Sequence, residues 1–266
     1  MERRGSPGIL EEKVERLTVF QASVSRPRNQ WERAEGPGGH RSTPSRSVGA
    51  VKALVFCDVT DPWSYVGVTR FERAAGMFTI LTGEPLDVSF RARLLEPDAP
   101  SSGRPLRAVL AERLGGDDKV DLVDAQVTAA ARISGIELNL AEAVEANSLD
   151  AWRLLTWADE AGPGLQRELV HQLWRAHLLE GADLADPLVL SSRAALVGLD
   201  LETADALLAS DEYADAVRTQ DETARSLGVT QLPYVVVENR WTLAGTQSQD
   251  DYVQALHQIH REWRDA

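Results

Sequence analysis

Residues 52–67 read KALVFCDVTDPWSYVG and join a strand signal directly to a helix start signal. The run Lys52–Val59 is short and rich in β-branched and aromatic residues, which predicts a buried strand. Asp61 and Pro62 then supply an N-cap and a first helical residue, and they predict a helix that extends to about Leu81. The chain therefore passes from a strand into a helix within a few residues, as α/β units do.

The rest of the chain continues this alternation around one long helical block. A second strand is predicted over Leu86–Leu94, and the pattern is then helical almost throughout from Arg104 to Gly228. A hairpin around Asn239-Arg240 and a closing helix follow, at Tyr234–Glu238, Trp241–Ala244 and Asp250–Arg261. The order β-α-β, helical block, β-β-α predicts an α/β fold.

Composition disfavours several classes of protein. The 266 residues include 28 basic and 41 acidic side chains, and this acid excess disfavours nucleic acid as a partner because phosphate binding needs a dense basic footprint. We find no apolar run near the roughly 20 residues that span a bilayer, and no secretory signal pattern. The one cysteine, Cys57, cannot form an intramolecular disulfide. We expect a cytoplasmic protein with no membrane partner.

Residues 1–50 differ in composition from the rest of the chain. The segment from Ser25 to Gly49 is dense in Arg, Pro, Gly and Ser, and such a sequence cannot bury enough apolar surface to order itself. We predict a disordered tail over residues 1–50. The alternative is that translation starts near Val51, so that this segment is not part of the native protein.

Four stretches resemble one known family in their order and spacing. Phe56–Gly67, FCDVTDPWSYVG, is similar to the family's strand and its CPWCYIG motif. The others are Asn147-Ser148 with AWRLL at 151–155, LWRAHLLEGADLAD at 173–186 and GVTQLPYVVVENRWTLAGTQ at 228–247. Together they resemble the DsbA superfamily, in its FrnE-like and 2-hydroxychromene-2-carboxylate isomerase (kappa glutathione transferase) branches.

The resemblance implies a thioredoxin-like fold with a large all-helical insertion between strand 2 and strand 3. Residues 51–103 and 228–266 would form the thioredoxin-like domain, and residues 104–227 the helical insertion domain. Pro233 matches the family's cis-proline, which would place the backbone of Leu232 beside the start of the first helix.

The chain departs from the family motif at two positions. Where redox members carry cysteines, this sequence has Asp61 and Ser64, whereas dithiol exchange needs a thiolate and a second thiol. We therefore predict that the protein is not a disulfide oxidoreductase. The kappa transferases hold a glutathione thiolate with a serine at the first of these positions, where Asp61 stands here. We predict that no cofactor is required. A low-molecular-weight thiol (glutathione or mycothiol) is the alternative, and its thiolate would meet the Asp61 carboxylate.

The start of the first helix carries the candidate site. Asp61 is either a structural N-cap or a general acid or base, and Ser64 either bonds locally or donates a hydrogen bond to substrate. These two are the candidate catalytic residues. The candidate substrate-binding residues are Trp63, Tyr65, Leu232, Pro233 and Asn147. His171 and His177 are six residues apart, which is not the spacing of a helical metal pair, and no metal site is predicted.

These features predict an isomerase of a small conjugated compound of polyketide or aromatic type, in secondary metabolism. The substrate would bind between the thioredoxin-like unit and the helical block, and the reaction could be a cis–trans isomerisation. The alternative is a redox-inactive thioredoxin-fold binding protein or chaperone. A homodimer is compatible with either function.

Overall fold

The computed structural model describes residues 50–264, so the predicted disordered tail lies outside the described residues apart from Ala50. The elements are, in chain order, β1 (Val51–Cys57), α1 (Pro62–Thr82), β2 (Leu86–Ala92), α2 (Leu106–Leu114), α3 (Asp117–Ile133), α4 (Leu149–Ala161), α5 (Leu165–Leu178), α6 (Pro187–Leu196), α7 (Leu201–Leu208), α8 (Ala214–Ser226), β3 (Tyr234–Val237), β4 (Trp241–Ala244) and α9 (Gln249–Arg264). Within this part of the chain, none of the helices has both the length and the apolar character needed to cross a membrane.

The strands form one mixed sheet in the order β2-β1-β3-β4. β1 and β2 are parallel and joined by α1, while β3 is antiparallel to both β1 and β4. Alternate residues of β1 face opposite sides of the sheet. Val55 and Cys57 pack in the main core with α1 and α9, and Phe56 packs in a smaller cluster with Leu232 and α8. Both faces are therefore used for packing, which explains why β1 is apolar almost throughout.

The helical block packs on the sheet through a continuous core. Trp152 on α4 and Trp174 on α5 are fully buried in the same cluster as Val55 and Phe71 of the strand and helix units. The block also closes part of the sheet edge. The Gln166 amide accepts a hydrogen bond from the Phe90 N–H (2.8 Å) and donates one to the Phe90 carbonyl (3.1 Å).

Most of the predicted elements are present, although several boundaries differ by one to three residues, and β1 ends at Cys57 rather than Val59. The helix predicted to end near Leu81 ends at Thr82, and the hairpin has the predicted position. The second strand ends at Ala92 rather than Leu94, because side chains replace the strand ladder there. The Leu94 N–H donates to Asp221 Oδ1 (3.0 Å) and the Leu95 N–H donates to Asp58 Oδ2 (2.7 Å). The domain boundaries at residues 104 and 228 stay a prediction.

Candidate functional site

The start of α1 is closed by its own capping residue. Asp61 has extended backbone angles (φ −95°, ψ 113°), and its carboxylate accepts hydrogen bonds from the N–H groups of Trp63 (3.3 Å) and Ser64 (3.0 Å). Pro62 has no N–H, and the Tyr65 N–H donates to the Asp61 carbonyl. The first-turn N–H groups, which would otherwise attract an external anion, are thus bonded within the helix start.

Ser64 lies beneath this cap. Its hydroxyl donates to Asp61 Oδ2 (2.8 Å) and accepts a hydrogen bond from the Asp58 N–H (3.3 Å). Asp61 is 1% exposed and Ser64 is 0% exposed. Both carboxylate oxygens of Asp61 accept a hydrogen bond from an N–H group, which fixes the orientation of the carboxylate at the helix start.

Asp58, which the sequence analysis passed over, is a second buried carboxyl group beside Asp61. It accepts hydrogen bonds from the N–H groups of Thr60 (3.2 Å) and Leu95 (2.7 Å). Burial raises its pKa from 3.8 to about 6, and the charge of Asp61 adds to the rise while the hydrogen bonds from Leu95, Ser148 and Thr60 oppose it. Its sequence signal was an acidic residue within the apolar run predicted as a buried strand, three positions before the cap.

A cleft opens beside the start of α1, between it and the α2–α3 hairpin. It measures about 90 Å³, below the roughly 300–1,000 Å³ typical of drug-sized sites, so the ligand it accepts in this form is small. Asp61 and Trp63 form one wall, and His177 of α5 also lines it. The opposite wall is mainly aliphatic, with Leu106, Val109, Leu110, Val123 and Val127. Arg113 at the rim forms ion pairs with Glu96 (2.7 Å) and Glu145 (3.4 Å).

Four of the five predicted binding residues lie outside the walls of this cleft, and Tyr65 and Asn147 are two of them. The Tyr65 ring stacks on Trp174 (centroids 5.2 Å apart) and meets His171 edge-on (5.8 Å), where α1 packs on α5. His171 in turn contacts the Glu72 carboxylate at 2.7 Å. The Asn147 amide donates to the carbonyls of Pro97 and Ala99 and accepts from the Leu149 N–H, so it fixes the loop before α4.

Leu232 and Pro233 support α1 from behind. Leu232 is buried with Phe56 and Val229, and the Leu232–Pro233 peptide bond is cis. Pro233 packs closely on Gly67 of α1, where an added Cβ would lie 2.5 Å from the proline Cδ, so no larger residue fits there. The structure thus places Asp61 and Trp63 at the cleft and Ser64 beneath it. Leu232 and Pro233 lie outside the walls of the cleft.

His177 at the cleft is a titratable residue that the sequence analysis considered only as a metal ligand. It lies in the last turn of α5 and is 1% exposed. Its Nδ1 lies 3.4 Å from the Ala182 carbonyl. Burial lowers the pKa of His177, although the Ala182 hydrogen bond and the charge of Asp183 partly oppose this effect. The ring is therefore neutral near pH 7.

The family follows from comparison with known sequences. A family model described as a DSBA-like thioredoxin domain matches residues 53–257, which is most of the chain. This chain belongs to that family. The predicted α/β class, with a thioredoxin-like fold and a helical insertion between β2 and β3, is thereby confirmed for this DSBA-like protein. No curated protein matches the sequence significantly.

Solved structures similar to this DSBA-like chain have different activities in their names. A probable DsbA oxidoreductase from Streptomyces coelicolor is 27% identical, with a TM-score of 0.73, and the match covers 80% of this chain and 91% of that one. The cytosolic disulfide reductase DsbM from Pseudomonas aeruginosa, with GSH, is 21% identical (TM-score 0.56; 79% and 99% covered). A 2-hydroxychromene-2-carboxylate isomerase is 17% identical (TM-score 0.54; 80% and 97% covered). The last two structures are so distant in sequence that their similarity to this chain concerns the fold alone.

Cys57, the single cysteine of this DSBA-like chain, lies in the core rather than at the cleft. It is 0% exposed at the end of β1, and burial, followed by the charges of Asp58, Asp61 and Glu72, raises the pKa of its thiol well above the ordinary value. Thiolate chemistry is therefore disfavoured at this position. Among residues 50–264, we find no cluster of three or more His, Cys, Asp or Glu side chains arranged to hold a metal ion.

Proposed function

We propose that this DSBA-like protein is a non-redox enzyme that isomerises a small, largely apolar, conjugated carbonyl compound in the cleft at the start of α1. The observation that carries the proposal is the cleft itself, in which an aliphatic wall faces Trp63 and the Asp61 carboxylate. An apolar site with a few convergent polar groups suits a small organic ligand, and a carboxylate at its wall can move a proton.

Two of the similar structures are named as an oxidoreductase and a disulfide reductase. The residues of this chain argue against redox chemistry in this protein. A dithiol cycle needs two thiols, and the sequence contains one cysteine. Cys57 is buried in the core, where its thiolate is disfavoured. The proposal therefore assigns no redox step to the protein.

A thiol cofactor is also left out of the proposal. The first-turn N–H groups that could hold a thiolate at this helix start already donate to Asp61. A bound thiolate would have to approach a carboxylate, and the two negative charges would repel each other. Glutathione or mycothiol is therefore not expected to increase turnover.

Turnover of conjugated probes tests the proposal. The probes are a panel of small, uncharged cis and trans aryl enones, followed by ultraviolet absorbance with and without glutathione. We expect thiol-independent turnover that falls roughly 10²–10⁴-fold in Asp61→Asn, because the amide oxygen can still accept a cap hydrogen bond while the proton-accepting carboxylate is lost. Urea unfolding of the variant checks that it remains folded. Asp186→Asn, at the exposed cap of α6, is the matched control and should leave turnover unchanged. Turnover that requires a thiol, or full activity in Asp61→Asn, would contradict the proposal.

A binding protein without catalysis is the second candidate, since Ser64 and Asp61 are almost fully buried and hydrogen-bonded to each other. Saturable quenching of tryptophan fluorescence by the same enones, lost in Trp63→Phe and accompanied by no turnover, would support this candidate over the isomerase.

A further inference from the structure

We propose that Nε2 of His177 is the second proton-transfer group of the cleft, and that the substrate is a small conjugated carbonyl compound with an acidic C–H bond next to the conjugated system. This inference rests on the proposed function and names both a catalytic residue and the class of substrate. It is carried by the position and hydrogen bonding of the imidazole ring.

The hydrogen bond of His177 fixes which nitrogen can accept a proton. A carbonyl oxygen only accepts hydrogen bonds, so the contact between Nδ1 and the Ala182 carbonyl (3.4 Å) places the hydrogen of the neutral ring on Nδ1. Nε2 then has the lone pair. Among the described residues, the Ala182 carbonyl is the one hydrogen-bond partner recorded for the ring. Since His177 lines the cleft, Nε2 is the polar atom of the ring that remains to meet a ligand.

The loop after α5 holds this carbonyl in place. The Ala182 N–H donates to the Ala176 carbonyl (2.8 Å), which ties the loop back to the last turn of the helix. Gly181 has a left-handed conformation (φ +69°), and an added Cβ would lie 2.7 Å from the Glu142 carbonyl oxygen. The loop is thus fixed on both sides, so the tautomer of His177 is preset before any ligand binds.

The charges around the ring suit a base that becomes positive during the reaction. Asp183 lies in the loop after α5 and is the acidic residue whose charge acts on the ring. Of the other acidic residues that line the cleft, Asp124 and Glu145 form ion pairs with Arg107 and Arg113. Burial keeps the free ring neutral, while the charge of Asp183 attracts an imidazolium once it forms. His177 can therefore accept a proton and hold it for only a short time.

The proposed step is balanced without a cofactor. The substrate C–H bond breaks, its proton forms an N–H bond at Nε2, and the electron pair moves through the conjugated system to the carbonyl oxygen. The resulting enolate can rotate about the former double bond. Return of the proton from Nε2 to the same carbon breaks the N–H bond, restores the carbonyl group and the double bond, and gives the isomer.

Two variants and a matched histidine test the role of His177. His177→Gln removes the base, and His177→Phe keeps the ring volume in the apolar cleft in case the amide disturbs folding. His171→Gln, on the same helix but at the Glu72 contact, is the control. With a probe that the wild type converts, we expect turnover to fall at least 100-fold in both His177 variants and to change less than threefold in His171→Gln. Retained turnover in a folded His177 variant would overturn the inference and leave the proposed isomerase intact.

Nitrogen NMR of the histidine side chains gives a readout that does not depend on turnover. We expect His177 to carry its hydrogen on Nδ1 near pH 7, and phenol, a small aromatic proton donor, to shift the Nε2 resonance of His177 but not that of His171. If no probe is converted, the isomerase proposal fails while this experiment still decides whether His177 is the base of the cleft. A hydrogen on Nε2, or no response to phenol, would overturn the inference.

Discussion

Two helices of this protein start with the same Asp-Pro pair, and their surroundings differ. At α6, Asp186 is exposed, accepts a hydrogen bond from the Leu188 N–H (2.9 Å) and has Val189 at the third helical position. At α1, Asp61 is buried and bonds the Ser64 hydroxyl as well as two N–H groups. The local signal Asp-Pro therefore specifies a cap in both places. Burial, a hydroxyl group and a neighbouring carboxyl group occur together at the helix start that borders the cleft.

The largest difference between the two helix starts is expected when each capping aspartate is replaced by alanine and the loss in the free energy of unfolding is compared. Asp61→Ala leaves the Ser64 hydroxyl and two N–H groups without their acceptor in a buried place, and we expect a loss of about 2–4 kcal/mol in the free energy of unfolding. Asp186→Ala leaves the exposed Leu188 N–H to bond with water and should lower the free energy of unfolding by about 0.5–1 kcal/mol. Urea unfolding measures both. Equal losses would mean that Asp61 is an ordinary cap.

The second buried carboxyl group, that of Asp58, should make the free energy of unfolding depend on pH. Because burial raises the pKa of Asp58 to about 6, the folded state binds its proton more tightly than the unfolded state does. Its contribution to stability is full below about pH 4 and is lost as the pH rises to about 6. The shift of about two units corresponds to a change of about 3 kcal/mol.

The variant Asp58→Asn measures the pH-dependent contribution of Asp58 to stability. The unfolding free energy of the variant, relative to wild type, should increase by up to about 3 kcal/mol between pH 4 and pH 7. The corresponding difference for Asp186→Asn is subtracted as the control for an exposed cap. A difference that is flat over this range would show that Asp58 is not destabilised by ionisation in the folded state.

Removing the hydroxyl from the α1 start should have the smallest of the three effects. In Ser64→Ala, Asp61 loses a donor and the Asp58 N–H loses an acceptor, and we expect a loss of about 1–2 kcal/mol in the free energy of unfolding. Ser192→Ala, which removes an exposed hydroxyl from α6, is the control and should change stability by less than about 0.5 kcal/mol. If Ser64→Ala is as stable as its control, the buried hydroxyl does not distinguish the two starts.

The sequence predicted those parts of the fold that depend on local signals. Asp61 and Pro62 marked the start of α1, and the β-branched run before them marked β1. The end of β2 could not be read locally, because Asp221 of α8 and Asp58 capture the N–H groups that would have continued the strand. Long-range side-chain bonds of this kind leave no periodic pattern in the strand itself.

The candidate site was predicted only near the helix start. Asp61 and Trp63 were identified because they are close together in the motif, whereas His177 reaches the cleft through the packing of α5 on α1, far along the chain. Asn147 was included because its motif resembles that of a known family, and the structure gives it a loop-fixing role. Asp58 was missed because it lay within the predicted strand Lys52–Val59, and its burial depends on distant elements.

Gln166 has a consequence for how copies of this protein can meet. Its side-chain amide presents to Phe90 the same acceptor and donor that a peptide group of a fifth strand would present. A strand from another molecule therefore has no place to pair at this point of β2, so the sheet cannot be extended across it. At this edge of the sheet, another strand could pair only with the short Leu86–Val88 end of β2. The helical insertion therefore hinders aggregation through the sheet edge, in addition to forming a wall of the cleft.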